Sequence, residues 1–191
     1  MAIIKTNLTH GTTGNLPAVN GSAVTALNAS NVASGTLNSA RFSGGKIKQV
    51  DGVTVTGTRS SNSTSNIATN IYHSITPSAT SSKILVIISL PSVYSSKKSR
   101  PSRITIRRHT SAQSVNGSEL GTQISGDFHL NYVGTNDAQS GRSEYNLLDS
   151  PNTTSEMFYQ VYYSSHHADN NTYIGQDSTP IAHVTLLEVG A

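Results

Sequence analysis

Apolar positions change their rhythm near residue 46. From Leu16 to Phe42 the sizeable apolar side chains are Leu16, Val19, Val24, Leu27, Val32, Leu37 and Phe42, at steps of 3, 5, 3, 5, 5 and 5. A lone helix needs a sustained period of about 3.6 and a lone strand one of about 2. This stretch has neither. Ala, Ser, Thr, Asn and Gly fill the gaps, and Arg41 is its only charge. Such a segment cannot bury enough apolar surface to offset its own ordering entropy. It is either disordered or completed by copies of itself, and we read it as copies: a thin symmetric shaft over residues 16–45. The glycine pair Gly44-Gly45 reads as a joint. Ahead of it, residues 1–15 open with Ile3 and Ile4 and turn polar. They read as an extended arm suited to pairing with another protein's sheet edge, or as a frayed terminus.

From Lys46 onward the pattern is that of strands. Ile47, Val50, Val53 and Val55 predict a strand pair broken at Asp51-Gly52, a hairpin signal. Residues 58–66 predict a loop, and Ile67 to Ile75 a strand ended by Thr76-Pro77. Lys83 to Leu90 is almost continuously apolar and predicts a central strand buried on both faces. A basic loop follows over residues 91–101. In residues 103–109 Ile104 and Ile106 share one face, Thr105 and Arg107 the other. Shorter strands are expected near residues 120–124, 128–132, 145–148 and 172–174. In residues 157–163, Met157, Tyr159, Val161 and Tyr163 alternate with Phe158, Gln160 and Tyr162. The last strand, residues 181–189, is apolar on both faces. About eight to ten short strands without a helical period predict an all-β head over residues 46–191, an antiparallel β-sandwich of jelly-roll type. A last strand with two apolar faces needs two covers; a neighbouring subunit would supply the second. Val184 and Leu186 are therefore placed, with Val24, Leu27, Val32, Leu37 and Phe42, on the axis of a trimer.

Composition sharpens this picture. Hydrophobic residues make up 35% and charged residues 12%, below ordinary globular usage, so small polar and β-branched residues dominate and favour strands and turns. Cysteine is absent, which removes disulfides and thiolate metal sites. The first residues lack the pattern of a signal peptide. The longest apolar run, Ile84 to Ile88, is too short to insert in a membrane. The net charge of +3 is local: Lys97, Lys98, Arg100, Arg103, Arg107 and Arg108 lie close together. That group could meet phosphates or an acidic surface, or be a solvated loop and strand face. It lacks the aromatic interleaving of a nucleic-acid site, so no nucleic-acid partner is expected.

Three constellations could carry chemistry. His166, His167 and Asp169 have ligand types for a divalent metal. Without a third local ligand an ordinary exposed loop is the competing reading, so no cofactor is expected. Tyr94 with Lys97, Lys98 and Arg100, and Tyr162 from the outward face of its strand, are candidates for receptor contact, since aromatic faces pack on sugar rings. No Gly-x-Ser-x-Gly elbow and no carboxylate pair is marked out, and the chain is read as a non-enzyme.

Four segments carry a family resemblance. Leu27-Asn-Ala-Ser-Asn-Val-Ala-Ser-Gly-Thr-Leu-Asn-Ser-Ala-Arg-Phe resembles the short shaft repeat of tailed-phage tail fibres. Ile75-Thr-Pro-Ser-Ala-Thr-Ser-Ser-Lys-Ile-Leu, Leu148-Asp-Ser-Pro-Asn-Thr-Thr-Ser and Ala182-His-Val-Thr-Leu-Leu-Glu-Val are similar to a domain of marine-phage structural proteins. The resemblance implies a homotrimeric virion protein made in the host cytoplasm. Its N-terminal arm would dock on another tail or capsid protein, and its head would face outward, with a host cell-surface glycan as a candidate partner. A capsid-decorating head fibre and a tail-spike glycan-cleaving enzyme are the alternatives. If the organisation is right, a chain lacking residues 1–45 keeps a cooperatively unfolding β head, measured by circular dichroism, and no longer enters virions; incorporation that persists would remove the arm's docking role.

Overall fold

The structure, a computed structural model, describes residues 47–97, 100–118, 120–130, 140–176 and 179–190. The docking arm, the shaft, its axis residues Val24, Leu27, Val32, Leu37 and Phe42, and also Lys98, lie outside the described residues. Among those described, every regular element is a strand. In chain order these are β1 (Ile47–Thr56), β2 (Arg59–Ser61), β3 (Ile67–Ile75), β4 (Lys83–Ser95), β5 (Ser102–His109), β6 (Thr122–Gln123), β7 (Phe128–Leu130), β8 (Ser140–Asp149), β9 (Met157–Ser165), β10 (Thr172–Ile174) and β11 (Ile181–Val189).

They form two antiparallel sheets. The first runs β1-β11-β4-β10-β2, with β8 on the other edge of β4. The second runs β3-β9-β5-β6, with β7 also on β5. The alternation read from the sequence decides what lies between them. Ile84, Val86, Ile88 and Leu90 of β4, with Ala182, Val184 and Leu186 of β11, meet Ile104 and Ile106 of β5 and Tyr159, Val161 and Tyr163 of β9. Each fully buried aliphatic side chain contributes about 1.5–3 kcal/mol, so this seam is the main source of stability.

Three sequence expectations change. β1 is one continuous strand, with Gln49 to Thr56 in unbroken register on β11. Asp51-Gly52 makes no hairpin, because β11 offers a full ladder and Gly52 fits close to the Val184 carbonyl. β4 is not buried on both faces: Leu85 and Ile87 are half-exposed between fully buried neighbours. It also runs past Pro91 to Ser95. The ladder to β8 slips between Leu90 and Val93, where proline has no N–H to give, and there β4 passes from β11 to β10 as its partner. Finally, Val184 and Leu186, assigned above to a shared axis, are wholly covered inside the chain's own core. The outward apolar residues of β11 are Ile181, Leu187 and Val189.

The outer face of the second sheet is covered by the chain that follows β5. Gln113 exchanges hydrogen bonds with the Gln160 side chain, donating its N–H to Oε1 at 2.9 Å and accepting from Nε2 at 3.0 Å. The Asn116 N–H donates to the Ala68 carbonyl and the Ala68 N–H to the Gly117 carbonyl. Beyond it, Arg107 donates to the Leu120 and Gly121 carbonyls at 2.8 and 3.0 Å. Thr69, Gln160 and Tyr162 are buried.

The first sheet is closed at one end by a buried carboxylate. Glu188 of β11 accepts from the Ser78 N–H (2.8 Å), the Ser78 hydroxyl (2.5 Å), the Ser82 hydroxyl (2.6 Å) and Gln49 Nε2 (2.8 Å). Burial pushes its carboxyl up, but these donors outweigh burial and hold it below the ordinary glutamate value of 4.5. A group depressed in the folded state stabilises fully above its unfolded pKa and loses that contribution as pH falls through its folded value. Denaturant midpoints should therefore fall on acidification below about pH 4.5. Glu188→Gln should cost about 1.5–3 kcal/mol at pH 7 and flatten that acid limb; an unchanged pH profile in the variant would remove Glu188 as its source.

Candidate functional site

The residues singled out from the sequence converge at one end of the sandwich. Residues 96–101 leave β4 for β5, and residues 166–171 leave β9 for β10. Ser102 pairs with Ser165, and Thr172 pairs with Ser95, so the ladders bring both loops to the same end.

Asn170 pins them together. Its side chain is fully buried. Oδ1 accepts from the Ser95 and Ser96 hydroxyls at 3.0 and 3.1 Å and from the Lys97 N–H at 2.9 Å. Nδ2 donates to Ser165 Oγ at 2.9 Å and to the Arg100 carbonyl at 3.3 Å. Ser96 and Asn171 complete the seam, with both of their N–H groups paired across it. A carboxamide suits this joint because it donates and accepts at once without a charge to desolvate.

On this frame the charged groups face outward. Asp169 Oδ2 lies 3.2 Å from Lys97 Nζ and 3.6 Å from Arg100 Nη2. The Lys97 hydrogen bond, opposed by partial desolvation and helped by Arg100, holds the Asp169 carboxyl below its usual range. His167 Nδ1 is 2.8 Å from Arg100 Nη1. A guanidinium only donates, so Nδ1 is the acceptor and the His167 proton sits on Nε2. Desolvation, then Arg100 and His166, push the His167 pKa down, against Asp169. His166 packs on His167 with ring centres 4.7 Å apart, and His129 lies edge-on to His166 at 6.4 Å. Tyr94 and Tyr173, paired across β4 and β10, are half-exposed with ring centres 5.6 Å apart.

Of the receptor-contact candidates, Tyr94, Lys97 and Arg100 thus belong to one surface, and the metal candidates His166, His167 and Asp169 border it. No group of three His, Asp or Glu suited to a metal occurs among the described residues. Asp169 faces Lys97 and Arg100, and the same Arg100 also faces His167 Nδ1, so both candidate ligand atoms are already engaged by cations. Two cations around one carboxylate leave about one surplus positive charge, beside neutral donors and a tyrosine pair. That combination suits weak, exchangeable contact with carboxylates or sugars.

Tyr162 is elsewhere and is buried. Its ring stacks on His109 at 5.5 Å, its hydroxyl is 3.1 Å from His109 Nε2, and the Arg107 guanidinium lies 6.0 Å from its centroid. Alternation assigns it to the outward face, where the neighbouring Gln160 is bonded to the strap and Tyr162 itself is met by His109 and Arg107. The other described basic residues of the cluster are engaged in the fold. Arg107 holds the strap, Arg103 lies 3.5 Å from Asp127, and Arg108 is paired with Asp149. Asn170 is not marked as an organiser in the sequence, where it is one asparagine of many and its partners Ser95 and Lys97 lie 75 and 73 positions away.

No protein-family model and no curated protein matches the chain. Among solved structures, that of the infectious bursal disease virus Gx strain has a TM-score of 0.28 at 12% identity, covering 75% of this chain and 43% of that one. The infectious bursal disease virus VP2 subviral particle has the same TM-score and identity, at 75% and 42%. This chain spans less than half the length of those it matches.

Asn170→Ala leaves several buried polar groups unpaired and should lower stability by about 1–3 kcal/mol, with the largest amide-exchange acceleration in residues 95–101. Acceleration spread evenly over all strands would argue against a local pin.

Proposed function

We propose that this chain is a virion structural protein without catalytic activity, a homotrimeric phage tail fibre. Its N-terminal residues dock on the particle, and its head presents the basic loop to the host surface. Adhesion would be multivalent, so weak contacts at Tyr94, Lys97 and Arg100 gain strength from linkage.

One observation carries the association between copies. On the outer face of the first sheet, Val50 is registered opposite Leu187, Leu187 opposite Leu85, and Leu85 opposite Leu148. This apolar row crosses four strands, with Val50 60% and Leu148 59% exposed. Ile47 and Val189 extend it on one side and Ile87 on the other. Contiguous apolar surface of this kind marks an interaction site. Its position supports copies of the same chain as the occupant. All four side chains lie at one level along the strands, so heads arranged around an axis parallel to the strands stack their rows into one uncharged layer. Residues 16–45, read above as completed by copies of themselves, precede in sequence the strand that carries Val50.

The strand order supports the virion reading at the level of fold analogy. With β2, β6 and β10 set aside and the three-residue β7 kept, the sheets read β1-β11-β4-β8 and β3-β9-β5-β7. Renumbered one to eight along the chain, these are 1-8-3-6 and 2-7-4-5, the interleaved order of a jelly roll, a fold used by capsid and lectin domains.

Light scattering on the full chain should give three times the 20.2 kDa chain mass, and Leu148→Glu should weaken assembly by about tenfold or more. A single-chain mass for the parent would sink the trimer, and unchanged assembly of the variant would sink this face. Imaging of labelled heads on intact particles tests the rest: tail-tip label is expected, capsid label would favour a decorating fibre, and no label would end the virion reading.

A further inference from the structure

β5 carries a second feature at its opposite end, roughly 23 Å from the basic loop at about 3.3 Å per residue. Arg108 and His109 end β5, and Met157 begins β9. Together they floor a cleft of about 540 Å³ between the strap and the loop joining β8 to β9. That volume is within the range of small-molecule sites, about 300–1,000 Å³.

The cleft is built rather than incidental. One wall, residues 120–122, is held by the Arg107 guanidinium. The floor is braced by Asp149, which accepts from Arg108 Nη1 at 2.7 and 2.8 Å and from the Tyr159 hydroxyl at 2.8 Å. The other wall is tied by the Ser155 N–H on Thr153 Oγ1 at 3.0 Å and by Ser74 on Glu156 at 2.7 Å. Gly121 has a φ of 78°, and a Cβ there would collide with the Arg108 carbonyl and the His109 ring. The wall closes onto His109 only because residue 121 has no side chain.

The lining has no net charge. Arg108 is matched by Asp149. His109 is 5% exposed, and burial, with Arg107 nearby, lowers its pKa, so it is neutral at pH 7. Hydroxyls of Thr110, Thr122, Thr153 and Ser155 stand around the cleft, while Leu120, Pro151 and Met157 supply short apolar surfaces. A pyranose has the matching surface: a rim of hydroxyls around faces of C–H bonds. An anion would need an unmatched cation, and the cleft's own arginine already holds a carboxylate.

We propose that this cleft binds a neutral sugar, one or two pyranose rings of a glycan, as a site separate from the basic loop. The proposal holds wherever the protein sits in a particle and whatever its oligomeric state. Saturation-transfer NMR on the full chain, with maltose, lactose, cellobiose and N,N′-diacetylchitobiose as probes, should show transfer to at least one. Ser155→Trp and Thr122→Trp, each filling the cleft from an exposed position on opposite walls, should weaken that binding about tenfold or more. Lys97→Ala, at the far end of β5, should leave it unchanged. No transfer to any of the four probes overturns the proposal. So does binding that survives both tryptophan variants, or tighter binding of sialyllactose or inorganic phosphate than of every neutral probe.

Discussion

β4 is hydrogen-bonded along both edges, to β11 and β10 on one side and to β8 on the other, and the head is assembled around that double pairing. Its inward residues Ile84, Val86, Ile88 and Leu90 have no exposed surface and form one side of the core. Its outward residues Leu85 and Ile87 form the middle of the apolar face. The bulge at Pro91 and Ser92 turns its last residues toward β10, which brings the basic loop to the end of the sandwich. A change that broke β4 pairing would therefore remove the core, the outer face and the loop together.

Around this frame, the joints are hydrogen-bond networks, some centred on a carboxamide and some on a charged group such as Glu188 or Arg107. The chain is poor in charge, and few ion pairs hold elements together among the described residues. Asn170 joins two loops, Gln160 joins the strap to β9, and serines satisfy Glu188. Each joint buries polar atoms that would cost about 1–3 kcal/mol if left unpaired, so register errors are penalised at many points. Arg108 with Asp149 is an ion pair with little exposed surface, and it braces the floor of the cleft.

The chemistry is divided by position along β5. At its start, charged and aromatic groups stand outward on a loop whose backbone is pinned from below. At its end, hydroxyl-bearing and small apolar residues line an open cleft whose arginine is matched by Asp149. The first arrangement favours loose surface contact and the second a shaped ligand. Both depend on the same strand, and neither involves the apolar row on the opposite sheet.

How much was legible followed the range of the interactions. Period-two alternation located β3, β5, β9 and β11 closely and put Tyr159 and Tyr163 in the core, because which side chains share a face is a local property of an extended chain. It also grouped Lys97 and Arg100. What it could not supply was which faces are covered, since cover comes from distant segments. Tyr162 is on the outward face, yet His109 and Arg107 of β5 lie against it and it is fully buried. Val184 and Leu186 were taken for surface seeking a partner, yet the opposing sheet buries them, and the unpartnered row is Val50, Leu187, Leu85 and Leu148. Asp51-Gly52 looked like a turn until β11 provided a ladder for it to continue. By itself the sequence determined an all-β head, most of its strands and the inward side of β5 and β9. Only the tertiary structure decided the pairing, the bulge, the loop pinned by Asn170 and the cleft beside His109. Those depend on hydrogen bonds and packing between residues tens of positions apart, which no local pattern records.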